Sequence, residues 1–279
     1  MFNFFANIFG YLLNSIYSLV NNYGIAIIIF TVILKLVMLP ISIKQQKTMK
    51  KSAKLQIKVK EIQEKYSNDQ VRQSQEMMDL YKKENMSPFS GCLSSIIQFI
   101  IILSVFYLVS KPLTYMKHVE PAILDNYANE IAASSQDAMR YREIAIIKEK
   151  GTVDENVNLN MNFLGLDLSD VPTQNYKDWK VYVIPALYVI TSIISTSLTM
   201  NTNKKSKEEK LEETEESKEK EQDAMEEMNK QMKFMMPIMT VSIALIAPLG
   251  LALYWFVSNL LMICERLVIN KVVKEEEDE

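Results

Sequence analysis

Lys35 is a lone cation inside an apolar run, YGIAIIIFTVILKLVMLPI from Tyr23 to Ile41. Its type and place define the chemistry open to this chain. The run is long enough to cross a hydrocarbon core about 30 Å thick. A charge near the centre of such a helix costs about 2.5–3.5 kcal/mol on insertion scales, so an ammonium kept there has a task by default. A second charge, Glu265, stands in the last apolar stretch, Phe234 to Ile269. Other chemistries find no residues. A single histidine, His118, rules out a histidine-rich metal site, and Cys92 and Cys264 both lie in apolar segments, which implies no disulfide framework. Six glycines, none in a GxGxxG or GxxxxGK pattern, argue against a nucleotide-driven motor. With no Ser/Lys dyad and no paired intramembrane acids, neither an enzyme nor a cofactor is expected.

The elements that must position Lys35 are membrane spans. Charged residues are 23% of the chain and the mean hydropathy is near zero, values a soluble protein could have. The charges, however, are sorted into blocks: LEETEESKEKE from Leu211 to Glu221 is almost wholly charged, while Phe234 to Leu253 carries none. Such segregation predicts an all-α polytopic membrane protein. Spans are expected at 22–43, 92–110 and 181–200. The stretch from Phe234 to Ile269 would be about 54 Å long as one helix, too long for one crossing. Pro248-Leu249-Gly250 punctuates it, so two spans, 234–248 and 250–269, are expected around a tight hairpin. That makes five.

Orientation follows from lysine. Lys44, Lys47, Lys50, Lys51, Lys54, Lys58 and Lys60 follow the first span with no acid among them, and positive flanks stay in the cytoplasm. The N-terminus and the loop 111–180 are therefore expected outside, the loop 201–233 and the tail 270–279 inside. The outer loop is acid-rich and contains an apparent helix around Ile123 to Ile147. Tyr176, Trp179 and Tyr182 form an aromatic belt where it re-enters. Residues 1–21 lack the basic region and cleavage site of a signal peptide. There Asn3, Asn7, Gly10, Asn14, Ser18 and Asn21 form an uncharged polar stripe on an apolar helix, which fits an interfacial amphipathic helix; a loosely ordered leader is the alternative. The cytoplasmic segment 44–87 reads as a helical hairpin, with Leu55, Val59, Ile62 and Tyr66 on one face and a turn and capping signal at Ser67 to Gln70. Its thin apolar stripe predicts marginal stability. The loop 201–233 has no apolar face and reads as a charged helix or a disordered segment.

These features resemble the YidC/Oxa/Alb family of membrane-protein insertases. The resemblance rests on Tyr23-Gly24-Ile25-Ala26-Ile27 leading to Lys35-Leu36-Val37-Met38-Leu39-Pro40, Lys44-Gln45-Gln46-Lys47, Ile62-Gln63-Glu64-Lys65-Tyr66 and Gln75-Glu76-Met77-Met78-Asp79-Leu80-Tyr81-Lys82-Lys83-Glu84. It continues through Gly91-Cys92-Leu93 with Gln98, and Pro248-Leu249-Gly250-Leu251-Ala252-Leu253-Tyr254-Trp255 with Ser258-Asn259-Leu260. It implies five transmembrane helices around a hydrophilic groove open to cytoplasm and lipid. It also implies insertion of nascent membrane proteins without ATP, alone or beside the Sec translocon, in a bacterial cell membrane. The family usually places arginine where Lys35 stands, so the charge is kept but the bidentate fork is lost.

In such a groove, Thr31, Ser95, Gln98, Thr191, Ser192, Ser195, Ser258 and Asn259 are the expected polar wall; helix–helix hydrogen bonding is the competing role for each Ser and Thr. Lys35 and Glu265 lie at similar depth, roughly 18 Å and 22 Å from the outer ends of their spans. Two placements are open. Glu265 is a counter-ion that a substrate acid displaces, or it snorkels to the rim beside Arg266; the sequence leans to the second. Met77, Met78, Met86, Met232 and Met236 suit capture of varied apolar segments, against ordinary packing. The acidic tail, VVKEEEDE, disfavours docking to ribosomal RNA, and no nucleic-acid specificity is expected. Ribosome contact through the lysine-rich hairpin and attraction of its lysines to anionic lipids stay open. The chain is expected to act as a monomer. The competing function is a small transporter or channel using Lys35 as substrate or gating charge, which predicts an internal repeat that the sequence does not display.

Overall fold

The computed structural model of the chain describes residues 2–84, 90–132, 141–208, 235 and 238–278. In order, the helices are α1 (Phe2–Val20), α2 (Tyr23–Lys65), α3 (Gln70–Lys83), α4 (Ser90–Ser110), α5 (Pro112–Tyr115), α6 (Pro121–Ala132) and α7 (Arg142–Lys150). A two-stranded hairpin follows, β1 (Asn162–Phe163) and β2 (Leu166–Asp167), then a 3-10 turn at Trp179–Tyr182 and α8 (Val183–Glu208). Residues 238–246 are helical (α9), and α10 runs from Leu249 to Asp278. Among the described residues, three helical segments are long and apolar enough to cross a membrane: Tyr23–Gln45, Trp179–Leu198 and Leu249–Val268. Gln98–Ser110 is a shorter apolar helix. The chain divides into two compact units, one of 1–37, 101–199 and 215–279, the other of 38–100 and 200–214.

The larger unit is built on one apolar core. Tyr23, Ala26, Ile27 and Phe30 of α2, Val105, Leu108 and Val109 of α4, and Leu249 to Tyr254 of α10 meet there. The segment between α4 and α8 adds Leu113, Met116, Leu124, Ile146 and Leu168, all at most 2% exposed. It is a folded cap. The single helix expected around Ile123 to Ile147 is instead two, α6 and α7, packed on each other. Tyr141, with φ −123° and ψ 65°, lies outside the α-helical region and starts α7 at Arg142.

The cap supplies partners for helix ends, which otherwise leave backbone groups unsatisfied. At the start of α10, the amides of Leu249 and Gly250 donate to the carbonyls of Asp170 and Leu168, each at 2.9 Å, and the Thr173 amide donates to the Leu245 carbonyl of α9 at 3.2 Å. The joint between α1 and α2 is held likewise. Asn21 takes a left-handed φ of 47°, which asparagine tolerates. Its carbonyl accepts from the Asn160 side chain at 2.8 Å. Asn22 caps α2 through the Ile25 amide at 3.1 Å and donates to the Asn162 carbonyl at 2.6 Å. The β-hairpin turns on Leu164 and Gly165, both at positive φ, and lays Phe163 on Gly24, where any Cβ would strike its ring.

α1 buries Ala6, Gly10, Leu13 and Ile16 and leaves Phe4, Ile8, Tyr11 and Leu19 exposed. Gly10 from the polar stripe thus faces protein: the Tyr115 carbonyl occupies the space a side chain would need. Phe9 reaches Phe30 of α2 with ring centroids 6.0 Å apart.

The smaller unit contains the end of α2, a turn at Tyr66 to Asp69, and α3. Pro40 sits inside α2, removing one backbone donor without ending the helix. Asp69 caps α3, accepting from the Arg72 amide at 3.0 Å. Lys65 and Arg72 both lie over the Tyr66 ring, at 5.4 and 5.2 Å. Lys58 pairs with the Glu84 carboxylate at 2.7 Å, and Lys51 donates to the Glu84 carbonyl at 2.7 Å. α3 buries no side chain, whereas Leu55 of α2 is buried at 4% exposure.

Candidate functional site: an ion pair between two apolar helices

α2 carries Lys35 one turn beyond Thr31, and α10 carries Glu265. The Lys35 ammonium lies 3.7 Å from the Glu265 carboxylate, with side chains 22% and 11% exposed. The sequence leaned toward Glu265 snorkelling beside Arg266, and this distance corrects it. Depth counted along two helices says nothing about which way each faces; the turn of α10 aims Glu265 at α2. α10 is fixed against α8 by Tyr188 on Trp255, ring centroids 5.4 Å apart.

At 3.7 Å the pair exceeds ordinary hydrogen-bond length, so its attraction is mainly Coulombic. Two unit charges about 4 Å apart attract by roughly 4 kcal/mol at an effective dielectric near 20. Together with the neighbouring half-buried Arg266, Lys35 and Glu265 sum to one positive charge. Such a constellation can attract an incoming carboxylate and exchange it for Glu265.

The expected polar wall divides. Thr31 is 1% exposed and its hydroxyl donates to the Ile27 carbonyl at 2.6 Å. Thr191 is buried and donates to the Leu187 and Tyr188 carbonyls at 2.9 and 3.0 Å, and Ser195 is also buried. The Thr31 and Thr191 hydroxyls thus bond carbonyls of their own helices. Ser192, Ser258 and Asn259 are half-buried, and Gln98 is exposed. Met77 is half-buried and Met78 is 61% exposed on α3. The side chain of Ser95, and Met86, Met232 and Met236, lie outside the described residues.

A buried acid in the cap escaped the sequence reading. Glu143 is 3% exposed, accepting from the Thr114 amide at 2.9 Å and from the Thr114 hydroxyl. Burial pushes its carboxyl above the ordinary range, against the opposing pull of the Thr114 bonds and of Lys111. Its signal was present: Glu143 shares a helical face with Ile146 and Ile147.

A family model described as "60Kd inner membrane protein" matches residues 15–277. The chain belongs to that family. The resemblance drawn from the motifs, to YidC/Oxa/Alb proteins, is the same family. Among its relatives is the "Membrane protein insertase YidC" of Francisella tularensis subsp. novicida (strain U112). It is 40% identical over 109 residues, 39% of this chain and 20% of that protein. The proteins of that name from subsp. tularensis (strain SCHU S4 / Schu 4) and subsp. holarctica (strain LVS) match to the same extent. The matched part spans about a fifth of the length of these curated relatives. Family membership and three apolar helices of spanning length make this a multi-pass inner-membrane type of protein.

Proposed function

We propose that the chain is a membrane-protein insertase whose working charge is Lys35, held by Glu265 until a substrate acid replaces it. The observation that carries the reading is the ion pair itself: opposite charges from two apolar helices, 3.7 Å apart and mostly shielded from water. A neutralised pair lowers the cost of keeping a cation among spans, and an incoming carboxylate can compete for it without being held irreversibly. The reading includes five spans around a groove open to cytoplasm and lipid, with Ser95, Gln98, Ser192, Ser258 and Asn259 along it. Thr31, Thr191 and Ser195 pack the helices behind that wall. The lysines after the first span keep α3 and the C-terminus in the cytoplasm and α1 at the outer surface. Met77, Met78, Met86, Met232 and Met236 offer adaptable contacts to nascent apolar segments. The name of the Francisella proteins supports the same activity. Action needs no ATP and proceeds alone or with the Sec translocon; ribosome contact falls to the lysine-rich hairpin rather than the acidic tail.

The test is insertion into liposomes of a single-span substrate with a short acidic tail, scored by protease protection. Lys35→Ala is expected to cut insertion by about tenfold, a loss of roughly 1.4 kcal/mol, and Lys35→Arg to retain it. Glu265→Gln should relax dependence on the number of acids in the tail. Equal insertion by Lys35→Ala would remove Lys35 as the working charge, and solute flux without insertion would replace this reading with that of a transporter or channel.

A further inference from the structure

A cavity of about 510 Å³ opens where the end of α4, α5 and the start of α7 converge. Its size is that of small-molecule sites. Ser110, on the last turn of α4, is 7% exposed, lines the cavity, and its hydroxyl has no hydrogen-bond partner among the described residues. The serines at 15, 18 and 242 fold back onto the carbonyl four residues earlier, at 2.8–2.9 Å; Ser110 does not. A buried hydroxyl without a partner costs about 1–3 kcal/mol unless something bonds it.

The charges around that hydroxyl define what fits. Lys111, Arg142 and Glu143 all line the cavity beside Ser110. The Lys111 ammonium rests over the Tyr107 ring at 5.6 Å. Arg142 gives one guanidinium nitrogen to Asp125 at 2.8 Å, and the rest of its fork retains donors. Lys111 and Arg142 outnumber Glu143 in the lining, while Asp125, 61% exposed and outside the lining, takes one Arg142 nitrogen; Lys111 and the rest of the Arg142 fork are left to face a monoanion. Aromatic faces complete the wall, with Phe106 directly below Ser110 on α4. Ile102, one turn further along the same face, is 41% exposed. Ile102, Phe106 and Ser110 thus form an apolar track ending at a polar, cationic pocket on one helix face.

We infer that this cavity binds the headgroup of an anionic glycerophospholipid. Its phosphodiester meets Lys111 and Arg142, a headgroup hydroxyl bonds Ser110, and an acyl chain follows Phe106 and Ile102. A headgroup bearing its own ammonium is disfavoured by the two cations. This rests on the chain lying in a membrane and not on its insertase activity, so failure of one leaves the other standing.

The test uses the full chain in detergent, titrated with dioctanoyl phosphatidylglycerol, dioctanoyl phosphatidylcholine and glycerol phosphate, and read by native mass spectrometry and thermal melting. Phosphatidylglycerol is expected to bind one-to-one, about tenfold or more tighter than either other probe. Lys111→Gln with Arg142→Gln should weaken it about tenfold, and Lys177→Gln, a cap lysine away from the cavity, should leave it unchanged. Ser110→Ala should weaken binding several-fold while leaving the ligand-free melting temperature equal or higher, since it removes the unpartnered hydroxyl. Equal affinity for phosphatidylcholine would overturn the inference, as would binding lost equally in Lys177→Gln. Glycerol phosphate matching the lipid would also overturn it, in favour of a soluble phosphate ester.

Discussion

Glu143 has a testable titration because burial raises its carboxyl while Thr114 bonds both oxygens. The folded state therefore holds the proton more tightly than the unfolded chain. Its contribution to stability is full below the ordinary value of 4.5 and is lost as pH rises through the higher folded value. Melting temperature should fall across that window, and Glu143→Gln should flatten the fall, because an amide can accept from the Thr114 amide and donate to its hydroxyl. Glu143→Ala leaves the Thr114 amide without its acceptor and should cost about 1–3 kcal/mol. A parent and glutamine variant with the same pH profile would refute the assignment. Among single residues, the ones legible in the sequence were those that break a pattern. Lys35 stood out because nothing near it in the run is charged. Its pairing with Glu265 was not legible, since periodicity gives depth and face relative to one helix only. The bonds of Thr31 and Thr191 to their own helices were not legible for a related reason: a hydroxyl in an apolar helix looks the same whether it lines water or bonds its own backbone.

At the scale of elements, the polar contacts between α2 and α3 among the described residues converge on Glu84 and Gln73. Asp69→Ala removes the cap on α3 and should cost about 1 kcal/mol of local stability, seen as faster amide exchange confined to residues 70–83. Lys58 and its bond hold the Glu84 carboxyl below its ordinary 4.5. That contact is therefore fully present above 4.5 and is lost as pH falls through the lower folded value. Exchange in α3 should quicken on acidification, and Glu84→Gln should remove that response. Exchange unchanged in either variant would show that something else carries the hairpin. The turn between these helices was legible because Ser-Asn-Asp-Gln carries local capping chemistry. The division of 121–150 into α6 and α7 was not: both halves have helical composition, and the break depends on the two packing together.

For the whole molecule, the cap between α4 and α8 ties segments remote in sequence, and one close approach is Gly10 against the Tyr115 carbonyl. Gly10→Ala forces backbone apart rather than a side-chain tip and should lower the melting temperature by several degrees. Ser18→Ala, an exposed change on the same helix, should not; equal melting of the two would mean that α1 does not seat there. This architecture was barely legible in the sequence, because 111–180 lacks long apolar runs and its core residues are scattered among polar ones. The ion pair has a consequence in time as well as in space. Lys35 is made about 230 residues before Glu265, with the whole cap between them. At about 5–20 residues per second, translation separates the two by on the order of 10–50 s. During its own birth this protein holds an ammonium without its carboxylate, and for that interval it resembles the clients we propose it serves: a helix whose charge must be sheltered until the partner arrives.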